Sequence, residues 1–167
     1  APDGGRRLMC TIVALKDRHR ELPLLVAANR DEFYSRPTEG PRRVHEDPRA
    51  VAGLDGWKGG TWMGANARGI FVALTNQRQY RGADPTRSSR GAIVLAALAE
   101  REVAGVDALV GSIDARDYNG FNLLYGDATT LRVAYARSER AAVETQTLED
   151  GIWVLPNDRI GSPEFPK

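Results

Sequence analysis

Three short runs of apolar and β-branched residues, each cut off by charged or polar residues, limit what this chain can fold into. They are residues 10–15 (CTIVAL), 22–29 (LPLLVAAN) and 69–76 (GIFVALTN). Each has the length of a strand rather than of a helix. The second is apolar almost throughout, the pattern expected of a strand buried on both faces. Residues 59–64 (GGTWMG) read as a further short strand, with glycines where the backbone bends or is closely approached. The stretch 35–58, rich in proline and charge, reads as loop, and 77–88 as a surface loop. Ser88 or Ser89 then caps a helix over 90–103, whose Ala- and Leu-rich interior favours that state. A second helix covers 106–113. Strands return at 120–125, 131–136 and 152–155, the first two joined by the turn 126–129 (GDAT). Strands, then helices, then strands, with no βαβ alternation, predict an α+β layered fold of mostly antiparallel sheets.

At 167 residues the chain has the size of one domain. Its 23 basic and 22 acidic residues leave a net charge of +1, so no electrostatic footprint for nucleic acid or an anionic membrane is expected. No stretch approaches the ~20 apolar residues that a membrane span needs. Residues 1–9 carry two arginines but no apolar run, so they read as a leader or an expression remnant rather than a secretory signal. A cytoplasmic protein is the simplest expectation. Cys10 is the single cysteine and the histidines are His19 and His45, so neither a disulfide nor a cysteine metal cluster is expected.

Cys10 alone could be an inert buried thiol, the usual fate of a lone cysteine. Its position after Met9 adds a second reading. Removal of everything through Met9 would give Cys10 a free α-amine of pKa ~7.7–8.0, which can serve as general base for its own thiol. Asn29-Arg30-Asp31-Glu32 ends an apolar run, and in strand geometry Arg30 and Asp31 point to opposite sides, each needing its own partner or a substrate. Asn76 closes another run. An asparagine there is ordinarily a turn former, but its side-chain amide can also donate to an oxyanion.

These residues carry a resemblance. Met9-Cys10, LLVAANRDEFYSRPT (24–38), GWKGGTWMG (56–64), GIFVALTN and SSRGAIVLAALAE (88–100) resemble the NRDE family, named for its Asn-Arg-Asp-Glu tetrad. That family includes the transport and Golgi organisation protein 2 homologues, and the likeness spans 9–167. It implies an N-terminal nucleophile (Ntn) hydrolase fold, an αββα sandwich of antiparallel sheets, as one domain over 10–167. Members usually continue beyond the position of Lys167, so the resemblance implies an incomplete C-terminus. A more distant likeness is to penicillin V acylase and bile-salt hydrolase. In that group an N-terminal Cys opens the first strand, an Arg and an Asp close the second, and an asparagine ends a strand of pattern N-x-x-G-x-x-x-A-x-x-N. Here Asn66, Gly69, Ala73 and Asn76 have that spacing, and Asn157 in VLPN matches a second asparagine.

Two functions follow from the resemblance. The first is an amidohydrolase without cofactor, acting on a small-molecule amide. Cys10 would be its nucleophile, Asp31 would orient the α-amine, and Arg30 would lower the thiol pKa or hold a substrate carboxylate. Asn76 and Asn157 would stabilise the oxyanion. The second is a non-enzymatic protein of haem trafficking or secretory organisation. There Cys10 or His45 would ligate haem iron, and Trp57, Trp62 and Phe33 would supply apolar walls. Simple packing is the plainer expectation for Trp62.

Overall fold

The structure is a computed structural model that describes residues 9–78 and 82–163. The expected leader (save Met9), part of the 77–88 loop and residues 164–167 therefore lie outside the described residues. Among the described residues ten strands and two α-helices form three layers. Strands β1 (Thr11–Lys16), β2 (Leu24–Asn29) and β10 (Gly151–Leu155) make a small sheet of order β10-β1-β2. The other seven make a larger sheet in sequence order: β3 (Thr38–Glu46), β4 (Arg49–Asp55), β5 (Met63–Asn66), β6 (Phe71–Asn76), β7 (Phe121–Gly126), β8 (Leu131–Ala136) and β9 (Glu144–Leu148). Every strand pairing in both sheets is antiparallel. The helices α1 (Arg90–Leu98) and α2 (Val103–Gly111) cover one face of the large sheet.

Alternation along β7 shows how one strand serves two cores. Phe121, Leu123 and Tyr125 join Val94, Leu98 and Val106 in the core beneath the helices. Leu124, on the other face, joins Ile12, Ala14, Val133 and Leu155 between the two sheets. Period-two geometry sends successive side chains to opposite layers, so a central strand of this kind is buried throughout. The α+β class with antiparallel sheets is the one expected.

Four expectations need correction. The 35–58 stretch is the β3–β4 hairpin, not loop. β3 is the edge strand, exposed along most of its length, so no apolar alternation marks it. Pro41 falls at a break in its register between Glu39 and Arg42, where the missing N–H costs no ladder bond. β2 is not buried on both faces: Leu24 and Val26 face the inter-sheet core, while Leu25 lies on an uncovered outer face with Ile152. An apolar run cannot tell a strand covered twice from one covered once. α1 stops at Leu98 instead of continuing to 103. There the Asn66 side-chain amide donates to the carbonyls of Leu98 (3.1 Å) and Glu100 (2.8 Å), satisfying the groups a helix end leaves open. β9, a polar edge strand, was not expected at all. Strand 59–64 shifts to Met63–Asn66 and the second helix begins three residues early, shifts of the size expected at element ends.

Glycines at the expected close approach position the first helix. A Cβ on Gly60 would lie 2.7 Å from the backbone of Gly91, and one on Gly91 would lie 2.9 Å from Thr61 N. Backbone therefore packs on backbone, with Thr61 N donating to Gly91 O at 3.3 Å. This seats the start of α1 beside Trp62.

A fully buried amide, Asn122 on β7, ties the last turn of the chain to the sheets. Its Nδ2 donates to Thr75 Oγ1 (3.1 Å) and to the carbonyls of Pro156 (3.3 Å) and Asp158 (3.0 Å), while its Oδ1 accepts from Gln77 Nε2 (2.9 Å). Replacing Asn122 with Leu leaves several of these buried groups unpaired. Denaturant unfolding of Asn122→Leu is expected to show a loss of at least about 2 kcal/mol. A loss under about 0.5 kcal/mol would show that the amide is dispensable.

Candidate active site

Strand register brings the expected residues together at one end of the small sheet. β1 pairs with β2 as Thr11↔Asn29 and with β10 as Ile12↔Leu155. Continued past the strand ends, those registers set Cys10 between Arg30 and Asn157. The side chains confirm it: Cys10 N donates to Asn157 Oδ1 at 2.7 Å, and the thiol points at Asp31 O at 4.0 Å. Asn157 Nδ2 in turn donates to Asn76 O at 2.7 Å. Because Cys10 N can only donate and Asn76 O can only accept, both ends of the Asn157 amide are assigned.

Cys10 sits in the wall of a cavity of about 280 Å³, also lined by Arg30, Asp31, Asn76 and Trp62. Arg30 and Asp31 do have separate partners. The Arg30 guanidinium lies 4.2 Å from the centre of the Trp62 ring and donates to Thr38 Oγ1 (3.2 Å) and Glu32 Oε2 (3.3 Å). Asp31 accepts from Met9 N at 3.1 Å and from Asn29 Nδ2 at 2.9 Å. Trp62 is thus neither simple core packing nor a bare apolar wall. It is the platform on which a cation stacks.

Glu32 links this cluster to a second arginine. Arg36 Nη1 donates to Glu32 Oε2 at 2.9 Å, and Arg36 grips Asp55 bidentately, with Nε to Oδ1 at 3.0 Å and Nη2 to Oδ2. Burial opposes the Asp55 charge, but the hydrogen bonds from Arg36 and the Trp57 amide outweigh it, so its carboxyl is held below the usual range. Arg36 and Asp55 line the same cavity and were not singled out from sequence. Asp55 lies in the hairpin expected to be loop, so no periodic signal pointed to it.

Other expected residues stay apart. His45 Nε2 is 2.8 Å from Leu95 O, and neither it, Phe33 nor Trp57 lines the cavity. Phe33 and Trp57 are largely exposed. Asn66 shares the asparagine-glycine spacing yet faces α1, with its Oδ1 accepting from Arg68 N and Ile70 N.

The comparisons with known proteins fit this arrangement. The family described as Transport and Golgi organisation 2 matches residues 9–167. The chain belongs to that family. Its human relative, named Transport and Golgi organization protein 2 homolog, is 35% identical over 149 residues. That alignment covers 84% of this chain and 52% of the relative, and the mouse homolog is 34% identical over the same share. The chain thus spans about half the length of the curated family members it matches. Among solved structures, two variants of conjugated bile acid hydrolase from Clostridium perfringens superpose with TM-scores of 0.58 and 0.56 at 15% identity. They cover 86% of this chain and 52% of theirs. At that identity the likeness is one of fold, the Ntn-hydrolase sandwich of antiparallel sheets.

Burial raises the Cys10 thiol pKa, and the charges of Asp31 and Glu32 add to the rise. A hydrogen bond from the Asp31 backbone and the Arg30 charge pull it down only in part. The thiol therefore stays protonated at neutral pH and needs a base to become a nucleophile. Alkylation of Cys10 by iodoacetamide, in a chain that retains Met9, is expected to have its midpoint above the ordinary thiol range. Arg30→Ala should move that midpoint up and Asp31→Asn should move it down. An unshifted midpoint, or shifts of the opposite sign, would contradict this electrostatic account.

Proposed function

We propose that this chain is the nucleophile-bearing part of an Ntn-type hydrolase that cleaves an amide or related acyl bond, with Cys10 acting as the first residue. The observation that carries the reading is the 2.7 Å bond from Cys10 N to Asn157 Oδ1, made by a residue, Cys10, that lines the cavity. Once the Met9–Cys10 peptide bond is cut, that nitrogen becomes an α-amine, already held beside its own thiol. The raised thiol pKa makes such a base necessary.

In the proposed reaction the α-amine takes the thiol proton as Cys10 Sγ attacks the substrate carbonyl carbon. The carbon–nitrogen bond then breaks, and the α-ammonium returns the proton to the leaving amine. Water attacks the thioester with the same amine as base, releasing the acid and restoring the thiol. Asn76, at the cavity wall, would donate its side-chain amide to the oxyanion. Asn157, first expected to share that task, has its Nδ2 on Asn76 O. It is better placed to orient the α-amine. Asp31 holds the Met9 nitrogen and would be left as the carboxylate beside the new terminus. Arg30, engaged by Glu32, Thr38 and Trp62, would act on the thiol through its charge rather than by holding substrate.

The haem-carrier reading keeps one of its two expected ligands at the cavity, since His45 lies elsewhere, and no observation favours it over hydrolysis.

The test is acylation followed by intact mass. A chain that begins at Cys10 is expected to take up one acyl group from an activated ester such as p-nitrophenyl acetate and then release it. The chain retaining Met9 and the Cys10→Ala chain should not. Asn157→Ala is expected to slow acylation by about 10²-fold or more, the usual share of a positioned base. Equal labelling of the Cys10 and Ala chains would defeat the proposal.

A further inference from the structure

Among the described residues, the cavity beside Cys10 is lined by one arginine without an ion-pair partner, and Lys58 lines it as well. Arg30 and Arg36 share Glu32, and Arg36 also has Asp55. Arg87 lies 3.6 Å from Asp84. Arg90, which opens α1 and lines the same cavity, has no carboxylate within ion-pair distance among the described residues. Among the described residues, one of the five N–H donors of its guanidinium has an acceptor, Nη1 donating to Gly120 O at 3.1 Å. The neighbouring hydroxyl of Ser89 makes no capping bond.

Burial works against the Arg90 charge and the nearby Arg36 repels it, while the Glu32 charge favours it only weakly. The remaining guanidinium donors are open to the cavity, where an anion can take them up. The planar fork of an arginine suits a carboxylate, which can accept two parallel hydrogen bonds. The place is fixed independently by the Gly60–Gly91 contact, which seats the start of α1 against the segment that carries Trp62 and leads into β5.

We propose that Arg90 anchors a carboxylate of the substrate, so that the compound presented to Cys10 is an anionic amide or ester and not a neutral one. This rests on the reading of Cys10 as nucleophile, but the site itself can be tested without chemistry. It also reassigns to Arg90 the carboxylate-holding role first given to Arg30.

The experiment measures binding to the Cys10→Ala chain, by calorimetry or by the fluorescence of its tryptophans. Monomethyl glutarate and its neutral counterpart, dimethyl glutarate, are the probes. The mono-acid is expected to bind about 10- to 100-fold more tightly, the range of a hydrogen bond to a charged group. Arg90→Gln should bring the two probes within about twofold of each other, while Arg90→Lys should keep part of the preference. Equal binding of the two probes, no binding of either, or a preference that survives Arg90→Gln overturns the proposal. Denaturant midpoints show whether each variant folds, and if Arg90→Gln does not, Arg90→Lys and the unsubstituted arginine decide. A carboxylate preference without acylation of a chain beginning at Cys10 would remove the nucleophile and leave the anion site. Acylation without the preference would do the reverse.

Discussion

Everything at the candidate site depends on a small cluster of buried amides and carbonyls where the two sheets meet. Asn122 and Thr75, side by side on β7 and β6, hold the Pro156 carbonyl between them, and Asn122 reaches on to Asp158. The residue between those carbonyls is Asn157, whose side chain bridges Asn76 O and Cys10 N. A buried donor left without an acceptor is costly, so this chain of bonds has one low-energy arrangement. That arrangement fixes the nitrogen of Cys10 in a protein whose small sheet is otherwise held by apolar contact. Hydrophobic burial brings the sheets together, and the amides set the register to atomic precision.

The charged groups follow a related logic on the other side of the cavity. Glu32 serves Arg30 and Arg36, and Asp55 serves Arg36, so these two arginines are neutralised within the protein. Trp62 supports the Arg30 end of this chain and Trp57 the Arg36 end, at 5.6 Å from ring centre to guanidinium carbon. Arg90 stands outside the network. The cavity thus combines a thiol, paired charges, and, among the described residues, two cations without an ion-pair partner, Lys58 and Arg90.

Much of the fold was legible in the sequence because apolar runs of strand length leave few choices. β8 was expected at its observed limits, and β1, β6, β7 and β10 within a residue or two. The edge strands β3 and β9 were not, because a strand exposed to solvent carries no alternation to read. Cys10, Arg30, Asp31, Asn76 and Asn157 were named in advance and do meet. Asn122 gave a faint signal, as the one polar residue in an apolar run (FNLLY), and a buried amide of that kind always needs partners. Arg36, Asp55 and Arg90 gave none, since charged residues in this arginine-rich chain are mostly surface groups.

The sequence by itself determined the kinds of element, their order and the residue types able to do acyl chemistry, since local periodicity and side-chain chemistry are local properties. It also placed the chain within a family through a run of residues too specific to arise by chance. Tertiary structure decided the roles. Asn157 turned from an expected oxyanion donor into the partner of the Cys10 nitrogen, Arg30 was bound to Glu32 and Trp62, and Arg90 was left lining the cavity with no counter-charge among the described residues. Those outcomes depend on which donor finds which acceptor across residues far apart in the chain, and only the packing of the two sheets and α1 settles that.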